Sequence, residues 1–266
     1  MREMTIGQFF PGTSFVHRLD PRTKLLIMLA YIVLVFLVKG FVGYGVLAVF
    51  LLAACLSAKV KIGYLLKTIK PIIVIVFITF VLNLFFTEGE TPWLSLGPVK
   101  IYPEGVRFAV MMALRLIFLL MGTSLLTLTT SPMALTDALE RLLKPLNKLH
   151  FPVHELSMMM TIALRFIPTL MEETDKIMKA QAARGADFDT GNLIDKAKAM
   201  LPLLVPLFVS AFRRADDLAL AMEARCYHGG DRRTRMKELH YAKIDGIAAA
   251  LTLLATLGIV AERIFL

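Results

Sequence analysis

The sequence predicts an all-α integral membrane protein, with about five transmembrane helices plus a cytoplasmic domain of long amphipathic helices. Three observations carry this. Of 266 residues, 57% are hydrophobic and 19% charged, with a mean hydropathy of +0.67; soluble domains average about 45–50% apolar and about 25% charged. The apolar residues also fall in blocks, and Lys and Arg alternate between dense and sparse connections. A disordered chain, a disulfide scaffold and an ordinary soluble enzyme are excluded. Cys55 and Cys226 are too few and too far apart for a disulfide framework or a zinc site.

A hydrocarbon layer about 30 Å thick needs about 20 mostly apolar residues in a helix. Leu25 to Val38 is the first block, and Phe41 to Ala58 follows after only Lys39 and Gly40. Pro71 to Phe86 is the third, opening on a proline of the kind favoured at a helix start. Val106 to Leu128 is the fourth and contains Arg107 and Arg115; Ile247 to Leu266 is the last, with Glu262 and Arg263 near its end. Met200 to Phe212 is apolar but short and interrupted by Pro202 and Pro206, so it is read as a buried or interfacial helix. The charged lead before Leu25 is too long, and lacks the small-residue cleavage site, for the first block to be a signal peptide.

Basic residues accumulate on the cytoplasmic side of spans. The lead holds Arg2, Arg18, Arg22 and Lys24, and the first connection holds Lys39 alone. The second holds Lys59, Lys61, Lys67 and Lys70; the third holds Lys100 against Glu88, Glu90 and Glu104. The amino terminus is therefore expected inside and the carboxyl terminus outside. Between Thr129 and Lys243 stand 17 of the 30 basic residues, against 14 acidic ones, so this stretch is cytoplasmic by the same rule. The resulting organisation is 1–129 (lead and four spans), 130–243 (cytoplasmic helices) and 244–266 (last span). No basic run is interleaved with stacking aromatics, which argues against nucleic acid and for a membrane surface.

Within the cytoplasmic stretch, Ser131-Pro132 signals a helix start, with serine as cap and proline in the first turn. That helix ends near Pro145. A second runs from His154 to Arg184 with apolar residues at three- and four-residue steps, and Gly185 supplies its stop. A third runs from about Asn192 to Tyr227, before Gly229-Gly230. Both long helices are too apolar to be freely solvated and too charged to span, so they are placed along the inner face. Met158, Met159, Met160, Met171 and Met178, with Leu203, Leu204 and Leu207, mark apolar faces. Methionine is flexible and polarisable and suits a surface that accepts several partners; packing within the chain is the alternative.

The two long helices end alike, on Ala183-Arg184-Gly185 and Ala224-Arg225-Cys226. Neither arginine has an acidic residue three or four positions before it, and Asp187 and Glu223 are poorly placed to neutralise them. Two accounts stand: the arginines complement the helix dipoles, or they are exposed guanidiniums built to dock into acidic pockets.

Catalytic chemistry is missing. The chain has no Gly-x-x-x-x-Gly-Lys-[Ser/Thr] loop and so no ATP hydrolysis by that route. His150 and His154 are spaced like metal ligands, but Pro152 breaks their shared face. No cofactor or metal site is predicted, and the chain is read as non-catalytic. Arg115 and Asn83 are polar groups inside spans; each is open to a packing or a functional role. A self-contained secondary transporter or channel would need ion-binding residues on broken helices in repeated halves, which the sequence does not display.

One family is similar over essentially the whole chain. Phe10-Pro11-Gly12-Thr13-Ser14, then His17-Arg18-Leu19-Asp20-Pro21-Arg22-Thr23-Lys24-Leu25, and the paired Ala-Arg ends resemble the transmembrane T component of energy-coupling factor (ECF) transporters. These form the vitamin- and metal-uptake branch of the ABC superfamily. The resemblance implies a complex in a bacterial or archaeal cell membrane with two ABC-type ATPases and a small membrane-embedded substrate-binding (S) subunit. It implies that 130–243 is a coupling domain and that Ala183, Arg184, Gly185, Ala224, Arg225 and Cys226 bind the ATPases. Cys226 fills a position the family leaves variable, so Arg225 is the firm carry-over there. The methionine and leucine faces would carry the S subunit. The leading motif and the Ala-Arg-Gly end look more like the type shared among several S subunits than the dedicated type.

Overall fold

The computed structural model describes residues 9–60, 62–88, 93–96, 99–186, 188, 192–229 and 239–265. Arg2, Lys61, Glu90, Asp187, Gly230 and Leu266, named above, lie outside them. The chain divides into two compact units, Met1–Ala138 with Glu238–Leu266, and Leu139–Lys237.

The first unit begins with a short helix α1 (Phe15–Arg18), then α2 (Pro21–Leu37) and α3 (Phe41–Ala58). The Asp20 side chain caps α2 by accepting from the Arg22 amide, and Pro21 occupies the first turn. Next comes an element that periodicity did not signal, the eight-residue helix α4 (Ile62–Ile69). Lys70 precedes a proline and is biased out of the helical region, so α4 stops and the chain turns before α5 (Ile73–Phe86). The third expected span therefore starts two residues late: Pro71 lies in the turn, not at the helix start.

The third connection carries an antiparallel hairpin, β1 (Leu94–Leu96) and β2 (Val99–Ile101), with Leu94 opposite Ile101. It is the one β element among the described residues. Helix α6 (Pro103–Thr129) starts earlier than expected because Pro103 takes the first turn, and α10 (Lys243–Phe265) closes the unit. Among the described helices, α3, α6 and Lys243–Ile264 of α10 are long and apolar enough to cross a membrane. Helices α2 and α5 are apolar too, at 17 and 14 residues. The protein is an all-α integral membrane protein.

Its core is built where α2, α3, α6 and α10 meet: Tyr31, Leu34, Val35, Val38, Tyr44, Leu47, Leu125 and Ile259 are buried. The buried phenols reach backbone on α6, Tyr31 to the Phe118 carbonyl at 2.9 Å and Tyr44 to the Met111 carbonyl at 3.0 Å. Gly122 lets the Tyr31 ring lie against α6: a Cβ there would stand 2.3 Å from Cε1. Outward apolar side chains such as Leu29, Phe77 and Leu254 are exposed, as lipid-facing surfaces require.

Arg115 does not find an ion pair among the described residues. Its guanidinium donates to the Val38 carbonyl at the C-terminal end of α2, at 3.3 Å, with the Phe36 ring 5.6 Å away. A cation at the negative end of a helix dipole is favourable without a carboxylate. Asn83 turns back on its own helix, donating to the Thr79 carbonyl at 2.7 Å.

The second unit holds a 3₁₀ turn (Lys144–Leu149) after α7 (Pro132–Leu143), then α8 (Val153–Ala183) and α9 (Leu193–Ala224). Ser131 accepts from the Ala134 amide at 3.3 Å, the expected start of α7. His150 takes a left-handed conformation at φ 59°. His154 faces Glu140, with Nδ1 3.2 Å from Oε1. Pro202 and Pro206 do not interrupt α9.

Candidate functional site

Helices α8 and α9 pack antiparallel. Gln181 on α8 meets Pro202 on α9, and Glu173 meets Ser210 and Arg214 further along. The first contact offsets the second of the two prolines in α9. Pro206 has no N–H to give the Pro202 carbonyl four residues earlier, and the Gln181 side-chain amide donates to that carbonyl instead, at 3.4 Å. At the second contact the Glu173 carboxylate accepts from the Ser210 hydroxyl and from the Arg214 guanidinium, the latter at 3.0 Å. These contacts, the Ser210 hydrogen bond foremost and then the positive charge of Arg214, hold Glu173 below the usual carboxylate value. Because the folded value is depressed, the stabilisation is present at neutral pH and is lost as pH falls through that lowered value. A cavity of about 340 Å3 beside the contact is lined by Ile162, Phe166, Leu170, Ala215 and Leu218.

The two helix ends have the same backbone geometry. After α8, the Gly185 amide donates to Ala182 O and the Ala186 amide to Gln181 O, both at 3.0 Å. After α9, the Cys226 amide donates to Glu223 O at 2.8 Å and the Tyr227 amide to Met222 O at 3.0 Å. Each is a Schellman cap, with a left-handed residue directly after the arginine: Gly185 at φ 87° and Cys226 at φ 56°. What reads in the sequence as a repeated Ala-Arg pair is thus a repeated turn that presents Arg184 and Arg225 in one local setting. Both are exposed, and neither guanidinium meets an acceptor among the described residues. Antiparallel packing puts them at opposite ends of the pair.

The left-handed conformation costs a residue bearing a Cβ about 1–2 kcal/mol. Gly185→Ala is therefore expected to lower the thermal midpoint of the purified chain, and Cys226→Gly to raise it by the equivalent of about 1 kcal/mol or less once glycine's unfolded-state entropy is counted. Differential scanning fluorimetry of the two variants checks the opposite signs.

The expected apolar faces are distributed unevenly. Met159, Met160, Met171, Met178 and Leu204 are exposed, and Met158 and Leu207 are half-buried. Leu203 is buried, at 5% exposure, and cannot serve an outward face; it points to the inner side of α9. Val205, Phe208 and Phe212 are exposed on the same helix, as are Ile194 and Leu220 nearer its ends. Glu173 and Gln181 were passed over by the residue-level expectation. Their signal is present in the sequence: with Phe166, Leu170 and Ile177 they continue the apolar stripe of α8, where a carboxylate and an amide need partners.

Two long helices with matched arginine ends, joined to a bundle of apolar spans, match a known family. The family described as cobalt transport protein, CbiQ, covers residues 12–236. The chain belongs to that family. Relatives are identical at about half of the positions over nearly their full length. A protein of Thermosediminibacter oceani is 56% identical over 263 residues, 99% of each chain. One of Clostridium kluyveri is 58% identical over 266 residues, 100% of this chain and 98% of its own. One of Bacillus subtilis is 49% identical over 258 residues, 97% of each. All three carry the name energy-coupling factor transporter transmembrane protein EcfT. As a member of this family, the chain is a transmembrane transport component.

Proposed function

We propose that this protein is the non-catalytic coupling subunit of an ECF-type ABC importer for vitamin or metal-ion uptake, seated in a bacterial or archaeal cell membrane. In this reading Arg184 and Arg225, each with its flanking cap residues, seat in acidic grooves of two partner ATPases. The exposed methionine face of α8 and the Leu204, Val205, Phe208 and Phe212 face of α9 carry the membrane-embedded S subunit. Residues 1–129 and 244–266 form the membrane part and 130–243 the coupling domain. ATP-driven closure of the ATPases moves the arginine ends, and the apolar faces between them shift the S subunit and release its substrate. The observation that carries the reading is the duplicated cap, which presents two exposed arginines from opposite ends of one helix pair. A guanidinium fork suits bidentate capture by carboxylates.

Tagged purification in mild detergent, followed by identification of the accompanying proteins, tests this directly. The expected companions are two ABC-type ATPases and a small membrane protein; recovery of an active, uncomplexed transporter would overturn the reading.

The same proposal sets the topology, amino terminus inside and carboxyl terminus outside. The native chain reports on it, because Cys226 is exposed and Cys55 is buried. In cells expressing this chain without ATPase partners, a membrane-impermeant maleimide is expected to leave Cys226 unlabelled from outside and to label it in inside-out vesicles. Labelling from outside would reverse the assignment.

A further inference from the structure

The leading motif, which the proposed function leaves without a task, makes hydrogen bonds to two distant places, while its Phe10 ring meets Tyr64 of α4. One of the two places is the end of α6. The Phe10 amide donates to Leu128 O at 2.9 Å, and the buried Lys24 ammonium donates to Thr129 O at 2.9 Å and to the Thr130 hydroxyl at 3.3 Å. The other is the start of α10. The Asp20 amide donates to Asp245 Oδ1 at 2.8 Å, and the Arg22 guanidinium donates to Leu239 O at 3.0 Å while lying 4.0 Å over the Tyr241 ring. Arg22 is locked by a fork onto Asp20, with Nη2 at 2.7 Å from Oδ2 and Nε at 3.1 Å from Oδ1. Asp245 is locked too, because its Oδ2 accepts from the Ala242 amide at 2.7 Å in the manner of a capping box. Asp20, Lys24 and Asp245 are each more than nine-tenths buried.

Those two places flank the points where the chain leaves the membrane unit for Leu139–Lys237 and returns from it. We infer that Asp20, Arg22 and Lys24 form an anchor that ties the departing and returning chain to one rigid base, with Arg22 and Lys24 acting as positioning residues for coupling. The physical need is plain. A segment that transmits force through two flexible roots dissipates displacement at the roots, whereas buried charge-assisted hydrogen bonds hold both at fixed separation. Burial also keeps water from competing for these donors. The role in coupling rests on the proposed function; the tie itself does not.

Two readouts test it, each on Arg22→Lys, which keeps the charge but loses the fork, and on Lys24→Met, which keeps the length but loses the donors. In the full-length chain in lipid nanodiscs, spin labels at Met133 and Lys243, both exposed, read the separation of the two roots by pulsed electron resonance. A single narrow distance distribution is expected for the parent and a broadened one for each variant; unchanged distributions overturn the anchor. In the complex reconstituted in liposomes, uptake per ATP hydrolysed is expected to fall roughly tenfold, the equivalent of one lost charge-assisted hydrogen bond, with ATPase copurification retained. Uptake that falls only in proportion to the amount of assembled complex, at an unchanged ratio to ATP turnover, would mean a purely structural tie and overturn the positioning role. Failure of the ATPase-docking reading appears elsewhere, in the Arg184 and Arg225 variants, and leaves the distance measurement standing.

Discussion

Arg184→Ala combined with Arg225→Ala is expected to strip both ATPases from the purified protein and abolish uptake. Each arginine is exposed at the end of a long helix, and in the proposed complex each partner carboxylate buried against it would be left unpaired by the substitution. Removing one side of a buried pair costs about 3–5 kcal/mol, on the order of 100- to 1,000-fold or more in affinity per contact. One arginine lost alone should weaken assembly or uncouple hydrolysis from uptake, because the second contact still holds. Lysine should rescue only in part, since it is a point charge without the planar fork. The measurements are uptake and ATPase copurification for each single variant, the double variant and the two lysine variants, normalised to expression. A double alanine variant that holds both ATPases and transports normally would reduce the arginines to helix-end charges.

The second large effect is expected in the membrane bundle. Gly122→Ala would place a Cβ 2.3 Å from Cε1 and 2.9 Å from Cδ1 of Tyr31. That ring cannot easily give way: it is 2% exposed, its hydroxyl is bound to Phe118 O, and it stacks on Phe50 at 6.1 Å between centroids. Overpacking of this kind costs about 1–3 kcal/mol, and here it also separates α2 from α6. Loss of a monodisperse peak on heating in detergent should occur well below the parent temperature. Combining it with Tyr31→Leu should restore part of the loss, because the two changes share one contact and are not additive. Equal stability of the single variant and the parent would mean that the helices part at no cost.

The spans were legible because lipid permits only helices whose backbone is satisfied internally, so length and hydropathy suffice to find them. The ends of α8 and α9 were legible for another reason: Gly185 supplies a left-handed residue at no steric cost and announces the stop. Cys226 does the same work without the announcement, and only the backbone reveals the equivalence. What periodicity could not carry was pairing over distance. Asp20 and Asp245 lie 225 residues apart and meet through a backbone amide, and Arg115 finds a carbonyl on another helix rather than an acid. Leu203 reads as one of a run of equivalent leucines until packing turns it inward. The break between α4 and α5 was visible in principle, since a residue before proline resists the helix, but Pro71 also has the sequence habit of a helix start.

Glu173 stands eleven residues before Arg184, and its partner Arg214 stands eleven residues before Arg225. At 1.5 Å per residue each arginine is about 16 Å from that contact, in opposite directions, so the pair is a balance beam with equal arms. A rotation of about 10° about the contact carries both tips by about 3 Å, by the same amount and in opposite senses. Inserting a single residue on one side of Glu173 would lengthen one arm and turn its tip by about 100°. Length between pivot and tip is thus as constrained as the identity of the tip.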